Sequence, residues 1–167
     1  GFAINDAIGE IMAQPREVIK TIDDVVSMRA RMSKERPARH AFDLKMAEGG
    51  LVDLEFIAQS GQLVAGKTIA RPQAGIAPVL VRLEEVGLVP QGRRLAEIHG
   101  VYSTVLQVMS SALVHPLKDE PWPSAFKELL AGLTHYPDFA RLELDLAAMR
   151  AEVTAAAAQW YDKARTL

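Results

Sequence analysis

The residues best suited to chemistry lie together between Phe42 and Gln59, in the string FDLKMAEGGLVDLEFIAQ. Lys45, Gly49, Gly50, Asp53, Glu55 and Gln59 place a cation, two adjacent glycines, two acids and an amide at the start of an otherwise apolar helix. A plain core helix has no use for that polar load. One reading makes Asp53 or Glu55 a contact to a metal ion or a nucleotide. The other is structural. Asp53 lies in the first turn, where the helix dipole favours an acid. Glu55 and Gln59, four apart, can simply be solvated, and the glycines can punctuate a loop. Spacing alone leaves both readings open.

A helical wheel over Leu51 to Lys67, at about 100° per residue, sharpens the choice. Glu55, Gln59 and Gln62 share one narrow stripe, and Asp53, Ser60 and Lys67 share a second. Val52, Phe56 and Leu63 separate the stripes on one side; Leu54, Ile57, Ala58, Gly61 and Val64 cover the other. Two apolar sectors predict a central helix of a bundle. At most one polar stripe then needs bulk solvent, and the other faces a cleft, a partner domain or a ligand. Two glycines ahead of D-x-E superficially match a nucleotidyltransferase signature, but there the acids lie on a strand and share one face. On a helix Asp53 and Glu55 diverge by about 160–200°, and the glycines stand too close. No catalytic or metal-ligating set is assigned in this chain.

The surrounding segments read as helices. Ile4 to Met12 carries a stripe of Ile4, Ala7, Ile8, Ile11 and Met12, and Pro15 breaks it and opens a helix to about Met32. The expected core stripe of that helix is Val18, Ile22, Val25, Met28 and Met32, with Asp23, Asp24, Arg29 and Arg31 elsewhere. Ser33 to His40 reads as a loop, and Phe42 to Lys45 is too short for a strand. The helix from Leu51 runs to about Lys67, and Arg71 to Pro78 links it to a short helix from Ala77 that stops at Gly87 as its C′ residue. Pro90 opens a long helix to about Val114, with Leu95, Ile98, Tyr102, Val105, Met109 and Ala112 on one stripe. His115 to Pro123 is a loop, Ser124 to Leu133 a short helix, and Pro137 starts the last. Leu142, Leu146, Met149, Val153, Ala156 and Trp160 form its seam. No repeat or low-complexity tract appears. The expectation is an all-α, antiparallel helical bundle of about five to seven helices, forming one domain over 1–167.

Composition supports a folded domain and narrows its partners. Hydrophobic residues make up 49% and charged residues 24% of 167, enough for a core without staples. Nineteen basic and 21 acidic side chains give a net charge of −2, so bulk electrostatics offers nucleic acid no attraction. With no cysteine, disulfides, thiolate metal sites and cysteine nucleophiles are excluded. No apolar run reaches the length of a membrane span, and GFAINDAIGEI is not a signal peptide. His40, His99, His115 and His135 are scattered and form no H-E-x-x-H, and no G-x-S-x-G is present. His99 is expected to pack near the seam. Arg93 and Arg94 read as a solvated pair or as a docking point for a partner, and Met28, Met32, Met46 and Met109 as core filling rather than a recognition groove. Trp122 is a docking point for another domain or a ring folded back on the bundle.

The string FDLKMAEGGLVDLEFIAQ also resembles the F-D-[LI]-K-x(3)-G-G-[LIV]-x-D-[IL]-E-F-[IL]-x-Q motif of glutamine synthetase adenylyltransferases (glutamate–ammonia ligase adenylyltransferases). Pro15-Arg16, Met28-Arg29-x-Arg31-Met32, the L-x-x-x-G-L block from Leu83 to Leu88, and Tyr102 extend the resemblance, dense from Ile11 to Gln59 and thin after Leu113. It implies a bifunctional enzyme with two nucleotidyltransferase halves, each followed by a helical domain. One half transfers AMP from ATP, with magnesium, to a tyrosine of glutamine synthetase; the other removes it by phosphorolysis. The cytoplasmic family answers to signal-transduction protein PII and to glutamine in nitrogen regulation. This chain resembles the helical domain after the C-terminal, adenylylating half. It is then a piece of a longer enzyme, without catalytic residues or cofactors of its own, and with the glycine–serine loop and D-x-D strand of the nucleotidyltransferase domain upstream.

The resemblance further implies that Lys45, Gly49, Gly50, Asp53, Glu55 and Gln59 face that neighbouring domain. Lys45 would screen phosphate charge, and Asp53 and Glu55 would order that lysine, a catalytic-domain arginine or a hydrated magnesium ion. The expected partners are the upstream nucleotidyltransferase domain, glutamine synthetase and PII. The helix containing VYSTVLQVMSSAL departs from many members, which carry charged residues where Leu106, Val108 and Ser110 stand here, so roles tied to those charges are not carried over. A free-standing helical interaction module and the helical domain of a PII uridylyltransferase are the alternatives.

Overall fold

The computed structural model describes residues 17–66, 75–112 and 122–167. Six helices are found there: α1 (Val18–Glu35), α2 (Leu51–Ala65), α3 (Ile76–Glu85), α4 (Gly92–Ala112), α5 (Ser124–Leu133) and α6 (Phe139–Ala164). No strand occurs among the described residues, so the chain is an all-α bundle. The helix expected over Ile4–Met12 lies outside the described residues, as does most of the two expected linkers.

Helix α6 forms where apolar residues recur every three to four positions, and its whole expected seam is buried. Asp138 caps its start, accepting from the Arg141 amide at 2.7 Å. α3 stops in a double hydrogen bond, Leu88 N–H to Leu83 O and Gly87 N–H to Glu84 O, both 2.9 Å. That geometry needs Gly87 at φ +73°. α5 ends the same way through Tyr136 and His135, but here His135 holds φ +61°. α4 begins at Gly92 rather than Pro90, after Gln91 at φ +58°.

α2 is the centre of the bundle, in contact with α1, α3, α4 and α6. Leu54, Ile57 and Ala58 on α2, Leu80 and Leu83 on α3, Leu95, Ile98 and Tyr102 on α4, and Val153 and Trp160 on α6 join one core.

The expectations for α1 and for part of the methionine set are corrected, and of the two readings of Trp122 the folded-back ring is the one found. Helix α1 does not bury its Val18–Ile22–Val25–Met28–Met32 stripe: Met28 is 48% exposed and Ile22 alone of the five is fully buried. The inward face is Ile22, Val26 and Arg29, because Arg29 is drawn to an acid on α2. α1 also runs three residues beyond Met32 and stops at Arg36, the position that Pro37 forces out of helical geometry. Of the methionine set only Met109 packs against the core; Met28 is exposed, and Met32 and Met46 are half-buried outside it. Trp122 is folded back, 4% exposed, against Phe42 at 4.9 Å and His40 and Phe126 at 5.4 Å between ring centroids.

Candidate functional site

The turn from Asp43 to Gly50 is anchored by Phe42, Leu44 and Ala47, all buried. Ala47 N–H returns to Asp43 O at 2.8 Å and Gly50 N–H to Ala47 O at 2.9 Å. The chain then enters α2 without a side-chain N-cap. Two amide groups that every helix start leaves without partners are met instead by the turn: Leu51 N–H donates to Leu44 O (2.8 Å) and Val52 N–H to Lys45 O (3.2 Å).

The next carbonyls are held by side chains from three helices. Arg29 Nη2 of α1 donates to Met46 O at 3.3 Å and Ala47 O at 3.4 Å. Arg150 Nε of α6 donates to Glu48 O at 2.9 Å, and the Tyr102 hydroxyl of α4 to Gly49 O at 3.0 Å. Every carbonyl from Leu44 to Gly49 therefore has a donor. Gly49 is required twice over. Its φ is +74°, and a Cβ there would overlap the Arg150 carbonyl on α6.

Asp53 closes the arrangement from below. Its Oδ1 accepts from Arg29 Nε at 2.5 Å, and its Oδ2 from Arg29 Nη2 at 3.0 Å and Gly49 N–H at 2.7 Å. Both partners are about nine-tenths buried as side chains. Arg29 Nη1 also donates to Ser33 on its own helix. Breaking such a buried pair from one side costs about 3–5 kcal/mol, because a charge is stranded. Asp53 thus points into the bundle, and the arginine it orders is the chain's own Arg29. Ser60, on the same stripe, is fully buried and accepts from Trp160 Nε1 at 2.8 Å. That stripe, open in the sequence to a cleft, partner or ligand, is occupied from within as far as Ser60.

The other stripe stays outside. Gln59 is exposed and Glu55 half-buried. Lys45 and Glu48 project from the turn into solvent. Glu55 acts on His99 of α4: burial lowers the imidazole pKa, and the Glu55 carboxylate opposes that shift. The two acids of the D-x-E string therefore serve opposite neighbours, α1 and α4. Among the described residues no three His, Asp or Glu side chains are gathered to hold a metal ion. No described helix is long and apolar enough to cross a membrane.

Tyr102 and Arg150, partners of the turn, escaped sequence reasoning as a site. Burial pushes the Tyr102 phenol up, so it stays a neutral donor to Gly49, while Arg150 beside it pulls the other way. Nor do Arg93 and Arg94 form a merely solvated pair. Arg94 grips Glu152 of α6 with two bonds, at 2.9 and 3.0 Å, which holds the Glu152 carboxyl below its usual range.

The chain is 35% identical over 142 residues to a bifunctional glutamine synthetase adenylyltransferase/adenylyl-removing enzyme of Mesorhizobium japonicum, covering 83% of this chain and 14% of that protein. A protein of the same description from Caulobacter vibrioides is 36% identical over 152 residues, covering 90% of this chain and 15% of its own length. A third, from Xanthobacter autotrophicus, is 32% identical over 161 residues, covering 92% and 16%. No family model matches the chain, and no solved structure does.

Proposed function

We infer the role of this helical domain from one premise: the chain belongs to the bifunctional glutamine synthetase adenylyltransferase/adenylyl-removing enzyme family. It spans 14–16% of the length of the curated relatives it matches. The activities in their name are therefore those of a larger protein, to which this domain contributes.

We propose that the domain lies beside a nucleotidyltransferase domain, completes one side of its cleft and relays the state of effectors such as PII and glutamine. Glutamine synthetase would be the macromolecular substrate and the cytoplasm the compartment. Lys45, Glu55 and Gln59 form the presented face, and Gly49, Gly50 and Asp53 hold the turn that presents it. The observation carrying this reading is a surface turn whose carbonyls from Leu44 to Gly49 all have donors, those from Met46 to Gly49 receiving side chains of three helices, while Lys45 stays exposed. Such fixation exceeds what a connecting loop needs, and preorganisation of this kind lowers the cost of binding. Lys45 offsets phosphate charge there. ATP and magnesium would be held by the catalytic domain. Of the two acids in the D-x-E string, Asp53 does not fit direct metal ligation, since it is engaged by Arg29.

The test uses the full-length enzyme. Lys45→Ala and Gln59→Ala should each lower AMP transfer to glutamine synthetase about tenfold, the worth of one charge-assisted contact, with an unchanged melting midpoint. Wild-type rates in both variants would refute the reading.

A further inference from the structure

We infer that Arg150 is a phosphate-binding residue, gripping two oxygens of a phosphate group seated beside the Leu44–Gly50 turn. The inference rests on the reading above, that this face meets the catalytic cleft. Six arginines among the described residues have a carboxylate within 4.0 Å. Three others, Arg31, Arg36 and Arg39, are exposed, where water satisfies them. Arg150 alone among the described arginines is half-buried with no such partner there. Its bond to Glu48 O lies at the surface, so the guanidinium is open to an incoming anion and has no carboxylate to displace among the described residues.

Its geometry specifies which anion. Nε donates to Glu48 O at 2.9 Å, which orients the guanidinium plane. The terminal Nη1–Nη2 edge has no hydrogen-bond acceptor among the described residues. The base of the side chain is rigid as well, since the Arg150 backbone lies in contact with Gly49. A planar fork with one fixed edge and one open edge matches two oxygens on one phosphorus, which a lysine ammonium cannot reproduce. Lys45, three residues before Glu48 on the same turn, is exposed. The Glu48 carboxylate, the nearest acid in sequence to the contact, stays beyond 4.0 Å of the guanidinium.

Two phosphates are available to an enzyme that both adds and removes AMP: those of ATP, and inorganic phosphate. Full-length enzyme carrying Arg150→Gln or Arg150→Lys would be assayed for the KM of ATP in AMP transfer and the KM of phosphate in AMP removal, alongside thermal unfolding. Arg150→Gln should raise one of these KM values about tenfold or more, as loss of a charge-assisted pair does, with little change in melting midpoint. Arg150→Lys should recover only a minor part. A rise confined to ATP assigns the nucleotide, and a rise confined to phosphate assigns the free anion. Unchanged KM values in both directions, or full recovery by lysine, would overturn the proposal. If Lys45→Ala impairs transfer while Arg150→Gln does not, this inference alone fails; if neither does, the reading beneath it fails too.

Discussion

Helix α2 carries two polar stripes that look alike in the sequence and have opposite fates in the bundle. Along one, Asp53 and Ser60 are 8% and 0% exposed, joined to Arg29 24 residues away and to Trp160 100 residues away. Along the other, Glu55 is half-buried and Gln59 exposed, and neither has a hydrogen bond from a side chain among the described residues. The inner stripe is scaffold, and the outer one is face. Polar residues at the start of a buried helix divide by which side the bundle closes over, and only what remains outside is open to a partner.

The largest effect that would break this contrast is at Asp53. Asp53→Ala should destabilise the domain by about 3–5 kcal/mol, read by denaturant unfolding, because Arg29 is left buried without its counter-ion. Replacing Arg29 and Asp53 together by apolar residues of similar size should cost much less than the single change. A loss below 1 kcal/mol for Asp53→Ala would place the inner stripe with the outer. Next comes Ser60→Ala, which leaves the Trp160 indole N–H unpaired in the core and should cost about 1–3 kcal/mol.

The smallest effect belongs to the outer stripe. Glu55→Gln should change stability by less than about 0.5 kcal/mol at pH 8. Acidification should then reveal it. His99 titrates below its ordinary value of 6.5 in the folded state because it is partly buried. Its contribution to stability is therefore intact above pH 6.5, and declines as pH falls and the unfolded chain takes a proton the folded one resists. Glu55 moderates that decline by favouring the imidazolium. Melting midpoints between pH 8 and 5 should fall more steeply in Glu55→Gln than in wild type, and His99→Gln should erase the difference.

The sequence carried most of the fold and less of the site. The α6 seam was readable because one apolar stripe has no competitor on that helix. α1 was not, since Val18–Ile22–Val25–Met28–Met32 and Ile22–Val26–Arg29 lie side by side on the wheel, and the second wins through an acid 24 residues downstream. Periodicity rates arginine as outward and cannot see that acid. The glycine pair was legible as a turn, but its necessity at Gly49 comes from a helix backbone 101 positions on, at Arg150, and from no local signal. The outer stripe was legible because exposure on a central helix follows from the wheel alone. The stop at Gly87 was equally plain, whereas His135 does the same work at the end of α5 without glycine.

The closure of the turn by Tyr102 and Arg150 also orders events in time. The turn from Asp43 to Gly50 lies early in the chain, yet it lacks its hydrogen bonds from Tyr102 and Arg150 until α4 and α6 have docked. On a ribosome, where domains form from the N-terminus onward, the segment emerges long before the helix that locks it. The turn that carries Lys45 is therefore completed only when α6 is in place, and a chain interrupted before Arg150 would leave its contacts to Glu48 and Gly49 unmade.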